Sequence, residues 1–256
     1  MGASLTTRPD NGSGRGWCRA WWLCAWALLS PLLASAAPEP GAAEVPVVPV
    51  VLGTVPTART RALSGELVAL VCREAGLKCR LDILPAERAR QDMAAGRYPL
   101  EFGRYAGYER VVPGVIRIDP SVYTVRVVAL VRVSGLAAQG WKGLVGKRVA
   151  YMRGTLLAQE RLRDEAEVIA VNSPSACVEM VAKGRVEACV LTRVNVPPAN
   201  ELPPQPALHL ELLETVPLHL WAAPGQQLLA DRLSGAVRAL LQRGELQRFW
   251  AANATP

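Results

Sequence analysis

The chain has 256 residues, half of them hydrophobic, and 29 Lys and Arg against 22 Asp and Glu give a formal charge of +7. That length allows one or two domains with real cores. No run of five like charges occurs and no aromatics interleave with the arginines, which argues against a nucleic-acid surface and for a mildly basic body suited to anionic ligands.

Arg8, Arg15 and Arg19 form a basic leader, Ala20 to Leu33 is an apolar run, and Ala34-Ser35-Ala36 supplies small residues where a signal peptidase reads. Residues 1–36 therefore read as a secretory signal cleaved after Ala36, which places the chain in the periplasm. An uncleaved anchor is the alternative, although the run is shorter than the roughly 20 residues of a spanning helix and Pro31 interrupts it. Cys24 follows Trp22-Leu23 and lacks the small residue that precedes a lipid-acceptor cysteine. Loss of the signal removes three arginines and Asp10, leaving about +5.

Residues 37–46 read as a leader. Val47 to Leu52 is an apolar, β-branched strand, followed by a loop, Gly53 to Ser64, that carries Thr54 and Thr57. Gly65 to Ala75 has helical spacing and ends at Gly76, and Cys79 to Leu84 alternates as a strand. Pro85 opens a helix capped by Gly96, Tyr98 to Phe102 is a strand, and Gly103 to Gly114 is a loop rich in Arg and Tyr. Tyr123 to Arg132 is a long strand leaving this lobe. Lys147 to Met152, Glu167 to Val171 and Val186 to Leu191 are strands of a second lobe, with a helix after Thr155 and another, opened by Asn172-Ser173-Pro174, running to Lys183. After a proline-heavy loop, Leu208 to Leu213 is a strand, Glu214 to Ala222 returns to the first lobe, and Leu228 to Ala251 is a helix or helix pair.

The same joint occurs twice, as Met93-Ala94-Ala95-Gly96-Arg97 and as Met180-Val181-Ala182-Lys183-Gly184-Arg185. The pattern is α/β: two lobes with parallel-rich sheets flanked by helices and joined by a two-stranded hinge. Residues 47–130 plus 218–256 form lobe 1 and 131–217 lobe 2, with a ligand cleft between them.

Four cysteines remain in the exported chain, Cys72, Cys79, Cys177 and Cys189, and three pairings are open. Cys72 lies about 6 Å back along a helix from the turn at Gly76 and Cys79 about as far along the next strand; Cys177 and Cys189 flank Gly184 in the same way. The geometry favours Cys72–Cys79 and Cys177–Cys189, each within one lobe. Four free thiols are the alternative.

The chain resembles the family 3 bacterial extracellular solute-binding proteins, periplasmic receptors with the type II fold. The resemblance rests on Gly65-Glu66-Leu67-Val68, Gly96-Arg97, Glu109-Arg110, Leu144-Val145-Gly146-Lys147-Arg148-Val149-Ala150, Arg153-Gly154-Thr155 and Gly184-Arg185-Val186-Glu187-Ala188. Pro85 with Arg88-Ala89 resembles a divergent branch, with Ala86 where that branch has tryptophan. The resemblance implies that Arg110 holds a ligand carboxylate, a task suited to a planar guanidinium. Arg104 and Phe102 accompany it, and Thr54 and Arg88 line the same lobe. Gly154-Thr155 brings helix N-terminal donors from the second lobe, with charge from Arg153.

Two departures bear on the ligand. Thr192, followed by Arg193, stands where amino-acid receptors carry an acidic residue for the ammonium group, and Thr54-Val55-Pro56 replaces the usual aromatic pair. The expectation is a monomeric solute-binding protein, not an enzyme, that closes on a small anionic or amino-acid-like solute for a permease or sensor in the inner membrane. It implies no cofactor, no metal and no nucleic acid. A periplasmic enzyme resembling cyclohexadienyl dehydratase is one alternative, with Glu101 and Glu109 as acidic candidates and Pro99 where the family has aspartate. A ligand-free protein-interaction module is the other. Gly143 to Lys147 lacks the spacing of a phosphate loop, and His209 and His219 lack the company a metal site needs.

Overall fold

The computed structural model describes residues 46–253; the expected signal segment, 1–36, and nearly all of the expected leader, 37–46, lie outside them. In chain order the elements are β1 (Val47–Gly53), α1 (Ala58–Glu74), β2 (Lys78–Leu84), α2 (Ala86–Ala94), β3 (Leu100–Tyr105), β4 (Ile116–Val131), β5 (Arg148–Met152) and α3 (Leu156–Leu162). Then come β6 (Glu167–Val171), α4 (Pro174–Ala182), β7 (Ala188–Thr192), β8 (His209–Ala222), α5 (Gln227–Gln242) and α6 (Glu245–Asn253).

The helix ends explain the repeated joint. At the end of α2, Gly96 N–H donates to Met93 O and Arg97 N–H to Asp92 O; at the end of α4, Gly184 N–H donates to Val181 O and Arg185 N–H to Met180 O. This closure requires a left-handed residue after the helix, and both glycines have φ of +68°. At the other end of α4, Ser173 Oγ accepts from Ala176 N–H at 3.1 Å, and Pro174 opens the first turn.

The eight strands form one sheet in the order β2-β1-β3-β8-β4-β7-β5-β6. β1 is parallel to β2 and β3, and β5 is parallel to β6 and β7. The long β4 and β8 pair antiparallel from Ile116↔Ala222 to Val131↔His209 and cross between the two halves. β3 pairs with the first-lobe end of β8 and β7 with the second-lobe end of β4. Alternation along each strand fills both faces of each lobe. Val50 and Leu52 enter the core under α1 and α5 while Val51 faces α2; Val149 and Tyr151 oppose Ala150 and Met152 in the same way.

Both disulfides join a helix to the strand that follows it: Cys72 to Cys79, with Cα atoms 6.2 Å apart, and Cys177 to Cys189, 5.5 Å apart.

Several boundaries differ from the sequence reading. α1 begins at Ala58, inside the expected loop, because Thr57 Oγ1 accepts from Thr60 N–H at 3.0 Å and caps it. β3 runs on to Tyr105, absorbing Gly103 and Arg104 through a register shift. The expected strand at 208–213 and the return segment at 214–222 are one continuous strand, β8, and the C-terminal region, expected as a helix or helix pair, is the pair α5 and α6 parted at Gly244.

Candidate functional site

The registers aim both lobes at one place. β8 enters the first lobe and β3 runs against it, so the carboxyl ends of β1, β2 and β3 point at the second lobe; β7 runs against β4, so the carboxyl ends of β5, β6 and β7 point back. In open α/β sheets, ligands gather at carboxyl ends of strands.

Arg110 lies on a single 3-10 turn, Tyr108–Arg110, just beyond β3. Its Nη2 donates to both carboxylate oxygens of Glu160, on α3 of the opposite lobe, at 3.0 and 3.1 Å. The hydrogen bond and charge of Glu160 hold the guanidinium above its ordinary pKa range. Gly107, at φ of +110°, makes room: a Cβ there would stand 2.3 Å from Arg110 Nη2. The Tyr105 side chain reaches into the second-lobe core, and its buried hydroxyl has no hydrogen-bond partner among the described residues. Burial raises its pKa first, and the nearby Glu160 charge adds to the shift.

Arg104 is not a cleft-facing loop residue. It is buried, with Nε donating to Glu101 Oε1 at 2.6 Å and Nη2 to the Ala86 carbonyl at 2.9 Å. Its guanidinium fills the space beside Gly53, where a Cβ would come within 2.2 Å of Nη2. Burial opposes its charge, but Glu101 and Tyr108 outweigh that and raise its pKa. Tyr108 donates its hydroxyl to the other Glu101 oxygen.

Phe102 is a core residue, 1% exposed and stacked on Tyr123 at 5.5 Å, because strand alternation turns it away from Glu101. Arg88 pairs along its own helix with Asp92 at 2.9 Å, and Asp92 also accepts from Arg97. Arg153 bends towards β6 and donates to Asn172 Oδ1 at 2.9 Å. Thr54 sits at the carboxyl end of β1, its N–H tied to Leu84 O.

Gly154 meets the first lobe directly: a Cβ there would stand 2.8 Å from Ala86 Cβ and 3.1 Å from the Glu87 nitrogen. Thr155 N–H is already bonded to Met152 O at 3.0 Å, and its side chain makes no capping bond, so the expected cradle of free donors is reduced there. Thr192 ends β7, and its Oγ1, like Asn195 Oδ1, is buried without a partner among the described residues. Arg110, Gly154, Thr54, Thr155 and Thr192 thus share the carboxyl-end region, whereas Phe102, Arg88 and Arg153 are engaged elsewhere.

Glu160 and Tyr105 escaped the sequence reading. Tyr105 lies between Gly103 and Gly107, two positive-φ glycines that mark special backbone, and Glu160 is a polar residue one turn into α3. Glu101 is locked between Arg104 and Tyr108, and Glu109 Oε2 accepts from Gly107 N–H at 3.0 Å. Among the described residues no group of three His, Cys, Asp or Glu could hold a metal ion, and no helix is long and apolar enough to cross a membrane.

Solved structures show the fold. The chain has the two-lobed, type II periplasmic-binding-protein fold, the fold its sequence resemblance implies. The GluR0 ligand-binding core in complex with L-glutamate superposes with a TM-score of 0.64 over 80% of this chain and 97% of that one, at 16% identity. An ancestral amino-acid-binding protein, described as a precursor of cyclohexadienyl dehydratase, gives 0.61 over 80% and 94%, at 14% identity. The VFT2 domain of BvgS from Bordetella pertussis gives 0.60 over 80% and 92%, at 19% identity. By sequence, an uncharacterised protein of Shewanella oneidensis is 23% identical over 185 residues, covering 68% of this chain and 69% of that protein. No protein-family model matches the chain.

Proposed function

We propose that this chain is a periplasmic solute-binding protein whose lobes, 47–130 plus 218–256 and 131–217, close on a small carboxylate-bearing solute for a transport or sensing partner in the inner membrane. One observation carries this reading: Arg110, at the mouth of the first lobe, grips a carboxylate presented from the second. A guanidinium placed between two hinged lobes turns ligand binding into closure, because contacts from both sides stabilise the closed form. Thr192, where an ammonium-binding acid would stand, favours an organic acid over a zwitterionic amino acid. The solved neighbours include binding proteins for amino acids and a histidine kinase sensor domain. Binding rather than catalysis fits best, since the acidic candidates Glu101 and Glu109 are held in internal hydrogen bonds.

A thermal-shift screen of organic acids and amino acids tests it. Stabilisation by organic acids, lost in Arg110→Gln, supports the reading; stabilisation by zwitterionic amino acids alone refutes the anion preference. A second reading, a protein-interaction module without a solute, is favoured by Arg104 filling the space beside Gly53 and by the contact of Gly154 with Ala86. Indifference to every solute would favour that module.

A further inference from the structure

We infer that Glu160 is a tethered stand-in for the solute: its carboxylate occupies Arg110, and the pair latches the two lobes closed on the chain's own side chain. The partners lie 50 residues apart, one after β3 and one on α3, so the contact can form only when the lobes meet. Both oxygens of Glu160 are engaged, as a ligand carboxylate's would be. The nearer acid, Glu109, is turned back onto Gly107 N–H and does not compete.

Neighbouring residues hold Glu160 in place. Arg161, next along α3, makes a two-point pair with Glu214 at 2.8 and 3.0 Å, and Trp141 Nε1 donates to the same carboxylate at 2.8 Å. That clamp fixes α3 to β8 and presents Glu160 from a rigid body. Leu156, on the same helix, packs against the first-lobe cluster of Val51, Ala89 and Tyr108, while Tyr105 crosses the other way. The Arg110 side chain is 60% exposed and that of Glu160 26%, so water reaches the pair and its strength is modest. A latch of that strength holds the empty protein closed yet yields to a free carboxylate at sufficient concentration. This exchange rests on Arg110 as the solute anchor; the latch does not.

Small-angle scattering of the solute-free protein tests the latch, with the wild type, Glu160→Gln, Arg110→Gln and the charge swap Arg110→Glu/Glu160→Arg. Each single variant should show a larger mean radius of gyration as the closed share falls about two- to fivefold relative to the open one, and the swap should restore it. Single variants that scatter like the wild type overturn the latch, as does opening that the swap fails to reverse. Calorimetric titration with succinate tests the exchange: without its competitor, Glu160→Gln should bind about two- to fivefold tighter than the wild type. Unchanged or weaker succinate binding by Glu160→Gln overturns the exchange. Variants that open as expected while neither they nor the wild type bind any carboxylate would leave the latch standing and sink the solute reading.

Discussion

Replacing Arg104 by methionine should strand the most deeply buried acidic group among the described residues. Glu101 is fully inaccessible, and its carboxylate is held by Arg104 Nε at 2.6 Å and by the Tyr108 hydroxyl. Methionine fills much of the arginine volume, so the main loss is electrostatic rather than a cavity. Removing one member of a buried pair leaves an uncompensated charge at a cost of about 3–5 kcal/mol. Glu101→Gln in the same chain removes the stranded charge, and the double variant should recover most of that loss. Urea unfolding followed by tryptophan fluorescence reads this well, because Trp221 Nε1 donates to the Arg104 carbonyl. At a slope of about 2–3 kcal/mol per molar urea, the single variant's midpoint should fall by about 1–2.5 M. A loss below about 1 kcal/mol for Arg104→Met, or a double variant as unstable as the sum of the singles, would refute the reasoning.

Peptide mapping of non-reduced protein should yield only the 72–79 and 177–189 linked peptides, and replacing both Cys177 and Cys189 by alanine should cost about 3 kcal/mol for a loop of that length. Gly107→Ala should keep the fold but lose any carboxylate-induced thermal shift, because the new Cβ would meet the Arg110 guanidinium. Glu214 is held below the ordinary carboxylate range, first by its hydrogen bond from Arg161 and also by Trp141. Its contribution to stability is therefore present above the unfolded-chain pKa and is lost as pH falls through the lower folded value. Thermal melts across the acid range should show a shallower decline for Glu214→Gln than for the wild type, and an equal slope would contradict the assignment.

Sequence periodicity and turn chemistry conveyed the architecture well. Gly96, Gly184 and Ser173-Pro174 mark helix ends through local rules that tertiary contacts did not override. The α/β alternation and the two crossings implied the hinged sheet, and the spacing of the cysteines around Gly76 and Gly184 implied their pairing. The site was less legible. Phe102, expected beside Arg110 in the cleft, lies within β3, where alternation sends it into the core. Arg104 and Arg153 found partners, Glu101 and Asn172, to which the sequence pattern gives other roles, an acidic candidate and a helix opener. Glu160 could not be assigned to Arg110 from sequence, since only lobe closure brings α3 against the turn after β3.

Arg110 is the proposed carboxylate anchor between the lobes. Titration calorimetry should compare the wild type and Arg110→Gln for the carboxylate that stabilises the wild type most. Loss of a charge-assisted hydrogen bond should weaken binding about tenfold or more. Equal affinity in the two proteins would contradict the central claim.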